Sequence, residues 1–162
     1  MAASSPRRYR LLLTAAFLWM AFIFYKSSQT YQQQNLIPLF SSEFSASSLS
    51  KWLPHITFLY DGTVVTWHDP YGMLEFFIRK AGHVSEYTIL ALLLGYSLLA
   101  KPLKRSKVLV YTTMFSILYA ASDEWHQTFV PGRTGHAIDV AVDTIGILLA
   151  VGWFLLTFKR SI

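Results

Sequence analysis

The sequence predicts an all-α membrane protein, a four-helix transmembrane bundle with both termini in the cytoplasm and one long extracytoplasmic loop. Three observations support this fold class. The 162-residue chain has 53% hydrophobic and only 14% charged residues, whereas a soluble domain carries about 25% charged residues. Four uncharged apolar segments occupy residues 11–25, 87–100, 108–122 and 144–158. Most basic residues flank these segments on one side, which is a topology signal.

Each apolar segment has 14 or 15 residues, fewer than the roughly 20 that a spanning helix needs. Polar residues follow the first and third segments (KSSQ, DEWHQ) and precede the second and fourth (HVSE, HAIDVAVD). Because successive helices alternate in direction, all four polar stretches would lie on the same side of the membrane. When these polar stretches are included as the ends of the helices, the spans cover about residues 10–27, 82–100, 107–126 and 137–158 of a single domain. Polar groups at such depth must face protein or water instead of lipid. The four helices are therefore predicted to share an outward-facing polar chamber.

The opposite ends of the segments carry nine of the fourteen Lys and Arg residues and no Asp or Glu. The nine are Arg7, Arg8, Arg10, Lys101, Lys104, Arg105, Lys107, Lys159 and Arg160. The positive-inside rule places these ends in the cytoplasm. A soluble bundle is the first alternative, but LLLTAAFLWMAFIF lacks the polar stripe of a soluble helix. A cleaved signal peptide is the second, but FIFYKSS lacks a small-residue cleavage site.

Charge and cysteine content exclude several other classes of protein. The net charge is +5, but the basic residues flank apolar segments instead of forming a surface patch, so no nucleic-acid partner is predicted. The chain has no cysteine, which excludes disulfides and thiolate metal sites.

The extracytoplasmic loop, residues 28–80, contains several predicted elements. SSQTYQQQN is expected to be irregular, and SSEFSASSLSKWL to form a short interfacial helix. ITFLYDGTVVTW predicts a β-hairpin around Asp61-Gly62, a favoured tight-turn dipeptide. Asp69-Pro70 predicts a helix start with Pro at the first position. YGMLEFFIRK is expected to lie at the interface before the second span, and the hairpin to rest on the membrane or cover the chamber.

The link between the third and fourth spans, VPGRTGHA, predicts a tight turn. Pro131-Gly132 suits the central positions of a type II turn, and Thr134 is a candidate N-cap for the fourth helix. The turn would hold Arg133 over the chamber mouth. Pairing of Arg133 with Glu124 or Asp139 is an equally weighted alternative.

Histidine and carboxylate side chains recur three residues apart in three helices. The pairs are His83 with Glu86, Asp123 with His126, and His136 with Asp139. Residues at i and i+3 share a helix face. Given the helix directions, each histidine should lie outside and each carboxylate about one turn deeper.

Twelve residues form the predicted binding site of the chamber. They are Arg79, Lys80, His83, Glu86, Asp123, Glu124, His126, Gln127, Arg133, His136, Asp139 and Asp143. Three cations would ring the mouth, where the N-termini of the second and fourth helices also attract anions. Such a site would suit the anionic head of an amphiphile.

Other interpretations of the chamber residues remain open. In a structural or oligomerising membrane protein, their polar groups would only hold helices together. The two chemical alternatives are an enzyme and a metal site. An enzyme acting on a lipid head group would use Glu86 or Asp123 as general base and His83 or His126 as its partner. Asp123-x-x-His126 has the order found in di-metal bundle sites. It is the only pair with that order, so no metal and no cofactor is predicted.

IFYKSSQ, IRKAGHVSEYTILALLL and SDEWHQTFVPGRTGHAIDVAVDTIG resemble the VanZ-like family of bacterial membrane proteins in order and spacing. The family pattern falls on Asp123, Glu124, Gln127, Gly132, Arg133 and Asp139. The resemblance implies a small polytopic protein of the bacterial plasma membrane. It also implies a link to glycopeptide resistance, because the family's namesake raises tolerance to teicoplanin by a mechanism that is not established. Lys26 departs from the pattern, and it is expected to snorkel to the interface.

The sequence therefore predicts a VanZ-like cell-envelope protein whose chamber binds an anionic amphiphile. The expected partners are membrane lipids and either a lipid-linked cell-wall intermediate or a lipoglycopeptide. The oligomeric state is not predicted. The acyltransferase-type label phosphotransbutyrylase, which some members of the family carry, has no support in these residues.

Overall fold

The structure is a computed structural model that describes the backbone of residues 5–159 and the side chains of residues 5–157. It is 73% helical with one small two-stranded sheet. Arg160, one of the predicted cytoplasmic cations, lies outside the described residues. The elements are α1 (Pro6–Ser27), α2 (Tyr31–Gln34), α3 (Ile37–Glu43), α4 (Ala46–Leu49), β1 (Thr57–Tyr60), β2 (Thr63–Thr66), α5 (Pro70–Leu99), α6 (Arg105–Gln127) and α7 (Ala137–Lys159).

Helix α5 is the centre of the fold and packs against α1, α6 and α7. It starts where the sequence predicts, because the Asp69 side chain accepts a hydrogen bond from the amide of Gly72 at 3.1 Å and Pro70 occupies the first turn. Its inner face contributes Tyr87 and Leu90 to a core that also contains Ile23 of α1 and Ile147 of α7. All four of these side chains are buried.

Helix α5 is also longer than predicted. The sequence favours a separate interfacial helix before residue 82, but the structure has one continuous helix of 30 residues, about 45 Å at 1.5 Å per residue. No proline interrupts residues 71–101, so nothing in the chain breaks the backbone hydrogen-bond pattern. The helix exceeds the roughly 30 Å of a bilayer core, and its N-terminal third extends into the loop region.

The loop differs from prediction in two places and agrees in a third. Residues predicted to be irregular include α2, which a capping box between Thr30 and Gln33 stabilises. The predicted interfacial helix is split into α3 and α4, because Phe44 has extended backbone. The hairpin is confirmed, with Thr57 opposite Thr66. Its turn has positive φ at both Asp61 (46°) and Gly62 (80°), as a type I′ turn requires.

Two of the described helices, Pro6–Ser27 and Ala137–Thr157, are long and apolar enough to cross a membrane. Only 17% and 28% of their most apolar windows are buried inside the fold, whereas the core helix of a soluble protein is mostly buried. Helix α5 carries charged residues in its N-terminal part and α6 carries them at both ends, which lowers the mean hydropathy of both helices. The four-helix transmembrane arrangement and its orientation remain predictions.

A close contact between α5 and α7 depends on Gly146. The Thr88 hydroxyl donates a hydrogen bond to the Gly146 carbonyl at 3.0 Å, and a Cβ at position 146 would overlap the Val84 carbonyl oxygen. We expect Gly146→Ala to lower the free energy of unfolding by about 1–3 kcal/mol, the usual cost of overpacking. Denaturant titration of the detergent-solubilised protein measures this change.

Gly152 provides the matched control on the same helix, because a Cβ there meets no atom within 4 Å. Gly152→Ala is expected to leave stability unchanged or to raise it slightly, since Ala has the higher helix propensity. Equal stabilities of the two alanine variants would contradict the close approach of α5 and α7.

Candidate binding site

A cavity of about 380 Å³ lies between the N-terminal half of α5, the hairpin, and the turn before α7. We call this cavity the polar chamber. Seven of the twelve predicted binding residues line it, namely Arg79, Lys80, His83, Gln127, Arg133, His136 and Asp139. The hairpin forms one wall, with Tyr60 and Val65 among the lining residues. The Tyr60 ring packs edge-on against Phe76 of α5, 5.0 Å between centroids, which fixes the hairpin over the cavity.

The other five predicted residues are not among the lining residues. Asp123, Glu124 and Asp143 are buried behind the wall. Glu86 forms an ion pair with Lys26 of α1, and the His126 ring lies on Phe24, 4.3 Å between centroids.

The candidate general bases and their partners are therefore not assembled around the chamber. Of Glu86, Asp123, His83 and His126, only His83 lines it. The sequence could not show this, because the direction in which each side chain points depends on how the helices are rotated about their axes.

Lys80 is held by Asp139 and Tyr60 in the chamber wall. It forms an ion pair with Asp139 of α7, and its Nζ lies 4.4 Å from the centroid of the Tyr60 ring. The Tyr60 hydroxyl donates a hydrogen bond to the same Asp139 oxygen. Burial, followed by the hydrogen bond to Asp139, raises the pKa of Tyr60 above its usual range. The phenol therefore stays protonated and acts as a donor at physiological pH.

Arg79 has unmet hydrogen-bonding capacity. Its guanidinium carbon lies 5.3 Å from the centroid of the Tyr31 ring. Its Nη1 is buried and has no hydrogen-bond partner among the described residues. Tyr31 in turn donates a hydrogen bond to Glu75 Oε2 at 2.8 Å. Burial and this hydrogen bond raise the pKa of Tyr31, so the ring that faces Arg79 is a neutral phenol.

Arg133 lines the chamber, and its guanidinium is bound to backbone carbonyls at the end of α1. Its Nη1 donates to the carbonyl oxygens of Ser27 at 3.2 Å and Gln29 at 3.4 Å. These belong to the C-terminal end of α1 and the residues after it, where unpaired carbonyls favour a cation. The described side chains show no ion pair between Arg133 and Glu124 or Asp139. Arg133 therefore joins the turn before α7 to α1.

The turn that carries Arg133 is confirmed, but the cap is not. The Arg133 amide donates to the Val130 carbonyl at 3.0 Å, and Gly132 has φ of 74°, as a type II turn requires. Helix α7 begins at Ala137, so Thr134 lies too far upstream to be its N-cap. The Thr134 hydroxyl instead contacts His136 Nε2 at 2.6 Å.

A network of buried polar groups supports the chamber from behind. Gln127 Nε2 donates to Asp123 Oδ2 at 3.1 Å and to Glu124 Oε1 at 3.0 Å. Ser27 of α1 donates to the same Asp123 oxygen at 2.8 Å. The His136 amide donates to Glu124 Oε2 at 3.1 Å. These bonds position Gln127 and the backbone of His136, both of which line the cavity.

The predicted layers of histidine and carboxylate are not paired along their own helices. His83 Nδ1 lies 3.0 Å from Asp143 Oδ1 of α7, not against Glu86. His136 pairs with Asp61 of the hairpin, not with Asp139. In the described residues, no side-chain hydrogen bond joins the two members of any of the three i, i+3 pairs; His136 and Asp139 share only a backbone bond, from the Asp139 amide to the His136 carbonyl at 2.8 Å. The side-chain partners of His83 and His136 therefore lie on neighbouring elements.

Sequence reasoning missed several participants. Lys26 forms an ion pair with Glu86 that connects α1 to α5. A lone lysine in KSSQ opposite a carboxylate in another span is a signal for such a pair. Tyr60 and Asp61 had no such signal, because nothing in the hairpin sequence shows which surface it covers.

Comparison with known proteins gives one result. No curated protein and no solved structure matches the chain. A family model described as VanZ/LLP1 matches residues 12–158, which covers nearly the whole chain and includes every residue that lines the chamber. The resemblance found in the sequence is thereby confirmed, and the chain belongs to the VanZ/LLP1 family.

Proposed function

We propose that this VanZ/LLP1 protein is a multi-pass protein of the bacterial plasma membrane whose chamber binds the anionic head group of an amphiphile. A lipid-linked envelope intermediate has the required chemistry, with a phosphate group joined to an apolar chain. By the same proposal, the helices α1, α5, α6 and α7 cross the membrane with both termini in the cytoplasm.

Exposed apolar side chains on these helices support membrane insertion. Large ones project from α1 (Phe17, Leu18), α6 (Phe115, Leu118) and α7 (Leu156). Monomeric soluble proteins rarely expose contiguous apolar surfaces of this kind. The start of α1 and the end of α5 also meet, since the Ser5 amide donates to the Ala100 carbonyl at 3.3 Å. This contact agrees with both ends lying on the basic, cytoplasmic side.

The single observation that carries the proposal is the unpaired Arg79 Nη1 beside the cavity. A buried donor without a partner is unfavourable, more so when it is charged. Lys80 is already paired with Asp139, and Arg133 donates to carbonyls of α1 and the following residues. Arg79 is therefore the cation of the chamber wall best suited to an incoming phosphate oxygen, to which guanidinium donates in a planar, charge-assisted geometry.

Binding of farnesyl diphosphate to the detergent-purified protein tests the proposal, with farnesol as the uncharged analogue. We expect Arg79→Gln to weaken diphosphate binding about 10- to 100-fold, because hydrogen bonds to charged groups contribute about 1.5–3 kcal/mol. Weak binding of farnesol should not change. Isothermal titration calorimetry with both ligands measures the two affinities.

The matched control is Lys51→Gln, which removes an exposed cation from the loop. It should bind farnesyl diphosphate as the wild type does. Equal affinity of wild type and Arg79→Gln for the diphosphate, or equal affinity of the wild type for diphosphate and farnesol, would count against head-group recognition at Arg79.

Family membership connects this proposal to teicoplanin. If the chamber holds an envelope intermediate or the lipoglycopeptide itself, the protein changes how much of the drug reaches its site of action. We include a contribution to teicoplanin tolerance in the proposed function.

A further inference from the structure

Three metal-ligating side chains from three different helices converge at the back of the chamber. They are His83 of α5, Glu124 of α6 and Asp139 of α7, and each offers one ligand atom within 4.8 Å of the other two. His83 and Asp139 line the cavity, while Glu124 is buried at 4% exposure. None of the three i, i+3 pairs in the sequence predicts this combination, since its members are far apart in the chain.

The histidine is oriented as a metal ligand would be. Its Nδ1 lies 3.0 Å from Asp143 Oδ1, and Asp143 is completely buried. A metal-ligating histidine almost always donates its other ring N–H to a carboxylate, a carbonyl or water, which fixes the tautomer and the ring. With Nδ1 occupied by Asp143, Nε2 is the ligand atom.

The two carboxylates are also held in place and keep lone pairs for a cation. Glu124 accepts one hydrogen bond at each oxygen, from Gln127 at 3.0 Å and from the His136 amide at 3.1 Å. Asp139 accepts from Lys80 and Tyr60 through Oδ1, so Oδ2 carries no contact with either of these donors. An ionised carboxylate has about four lone-pair sites, which leaves capacity on both groups.

We propose that His83, Glu124 and Asp139 bind one divalent cation, with Asp143 as the positioning residue for His83. One imidazole and two carboxylates suit Mn²⁺ or Zn²⁺. Ligand bonds of about 2.0–2.2 Å require the three side chains to close slightly from their present separations. Three protein ligands leave at least one coordination position open, and the cavity lies on that side.

An open position would place the cation where it meets an oxygen of a bound phosphate. This part of the inference rests on the proposed function, because it needs an anionic ligand next to Arg79. Cation binding itself does not depend on it and is measured without any amphiphile.

The test uses the full-length protein in detergent, stripped with EDTA and then equilibrated with MnCl₂ or ZnCl₂. Metal per protein is determined after desalting by inductively coupled plasma mass spectrometry. We expect about one equivalent in the wild type and at least tenfold weaker binding in His83→Gln and Glu124→Gln. Asp143→Asn should bind about 10- to 100-fold more weakly, the usual effect of losing an outer-shell partner. The control is His68→Gln, an exposed loop histidine, which should bind like the wild type.

A second measurement on the wild type covers the case in which the variants do not fold. Electron spin echo spectroscopy of the Mn²⁺-loaded protein should show nitrogen coupling from one imidazole ligand. Absence of that coupling, absence of bound metal in the wild type, or undiminished binding in folded His83→Gln would each overturn the cation site. Loss of farnesyl diphosphate binding in Arg79→Gln would stand in all three cases, so failure of the cation site is distinguishable from failure of the proposed function.

Discussion

Replacing Lys80 with methionine is expected to lower the free energy of unfolding by about 3 kcal/mol. The substitution keeps an unbranched apolar stem but leaves Asp139 without its cation, and the two side chains are only 19% and 8% exposed. Breaking a buried ion pair by removing one partner costs about 3–5 kcal/mol. The lower end applies because Tyr60 still donates to Asp139. Denaturant titration in EDTA, which keeps any cation from replacing the lysine, measures the change.

Two further variants identify the cause. Lys51→Met removes an exposed lysine and should leave stability unchanged. Adding Asp139→Asn to Lys80→Met removes the uncompensated charge and should recover most of the loss, giving a coupling energy of about 0.5–3 kcal/mol. If Lys80→Met and Lys51→Met unfold at the same denaturant concentration, Asp139 does not depend on Lys80.

The second large effect is expected in cells. Under the proposed function, a sensitive Gram-positive host that expresses the wild-type protein gains teicoplanin tolerance, and Asp123→Asn returns it to the level of the vector control. Asp123 accepts from Ser27 and Gln127 through the same oxygen, Oδ2. Bonds to an ionised acceptor are roughly twice as strong as neutral ones. Loss of the charge therefore loosens Gln127, the link between Asp123 and the chamber.

Asp123→Asn is informative because the fold should tolerate it. The amide oxygen can occupy the Oδ2 position and accept both hydrogen bonds. The amide nitrogen then occupies the Oδ1 position, which has no partner among the described residues. Immunoblotting of membranes checks that abundance is equal, and Glu43→Gln, at an exposed loop carboxylate, should protect like the wild type.

Each outcome in cells has a distinct meaning. Equal protection by wild type and Asp123→Asn would make the Asp123 charge dispensable and remove this residue from the working site. Loss of protein together with loss of protection would assign Asp123 a structural role. If the wild type does not protect, this protein does not confer the teicoplanin tolerance of the family's namesake. The binding of farnesyl diphosphate is then the remaining test of the chamber.

The chamber has a simple physical organisation. Its three cations have different partners. Lys80 pairs with Asp139 in the wall, and Arg133 donates to carbonyls at the end of α1, whereas Arg79 Nη1 has no hydrogen-bond partner among the described residues. Carboxylates on α6 and α7 lie behind the lining and hold polar groups in place. Under the two proposals made above, such a site would bind an anion at its front and a divalent cation at its back.

Features that depend on local chemistry could be predicted from the sequence alone. Asp69-Pro70 starts α5, Asp61-Gly62 forms the hairpin turn, and Pro131-Gly132 forms the turn before α7. Each depends on a few adjacent residues whose backbone preferences act wherever the rest of the chain lies. The motif pattern also sufficed to recognise the family, which the match over residues 12–158 confirms.

Which polar groups meet depends on the packing of the helices and could not be read from the sequence. His83 contacts Asp143, Lys26 pairs with Glu86, and Arg133 reaches the carbonyls beyond α1, although their sequence separations exceed 50 residues. Spacing of three residues shows that two side chains share a helix face, but it does not show which neighbour that face meets. Helix rotation and the close packing of α5 on α7 at Gly146 set those distances. Buried charges then pair with the nearest opposite group, because leaving them unpaired in a poorly solvated interior costs more free energy than any local preference supplies.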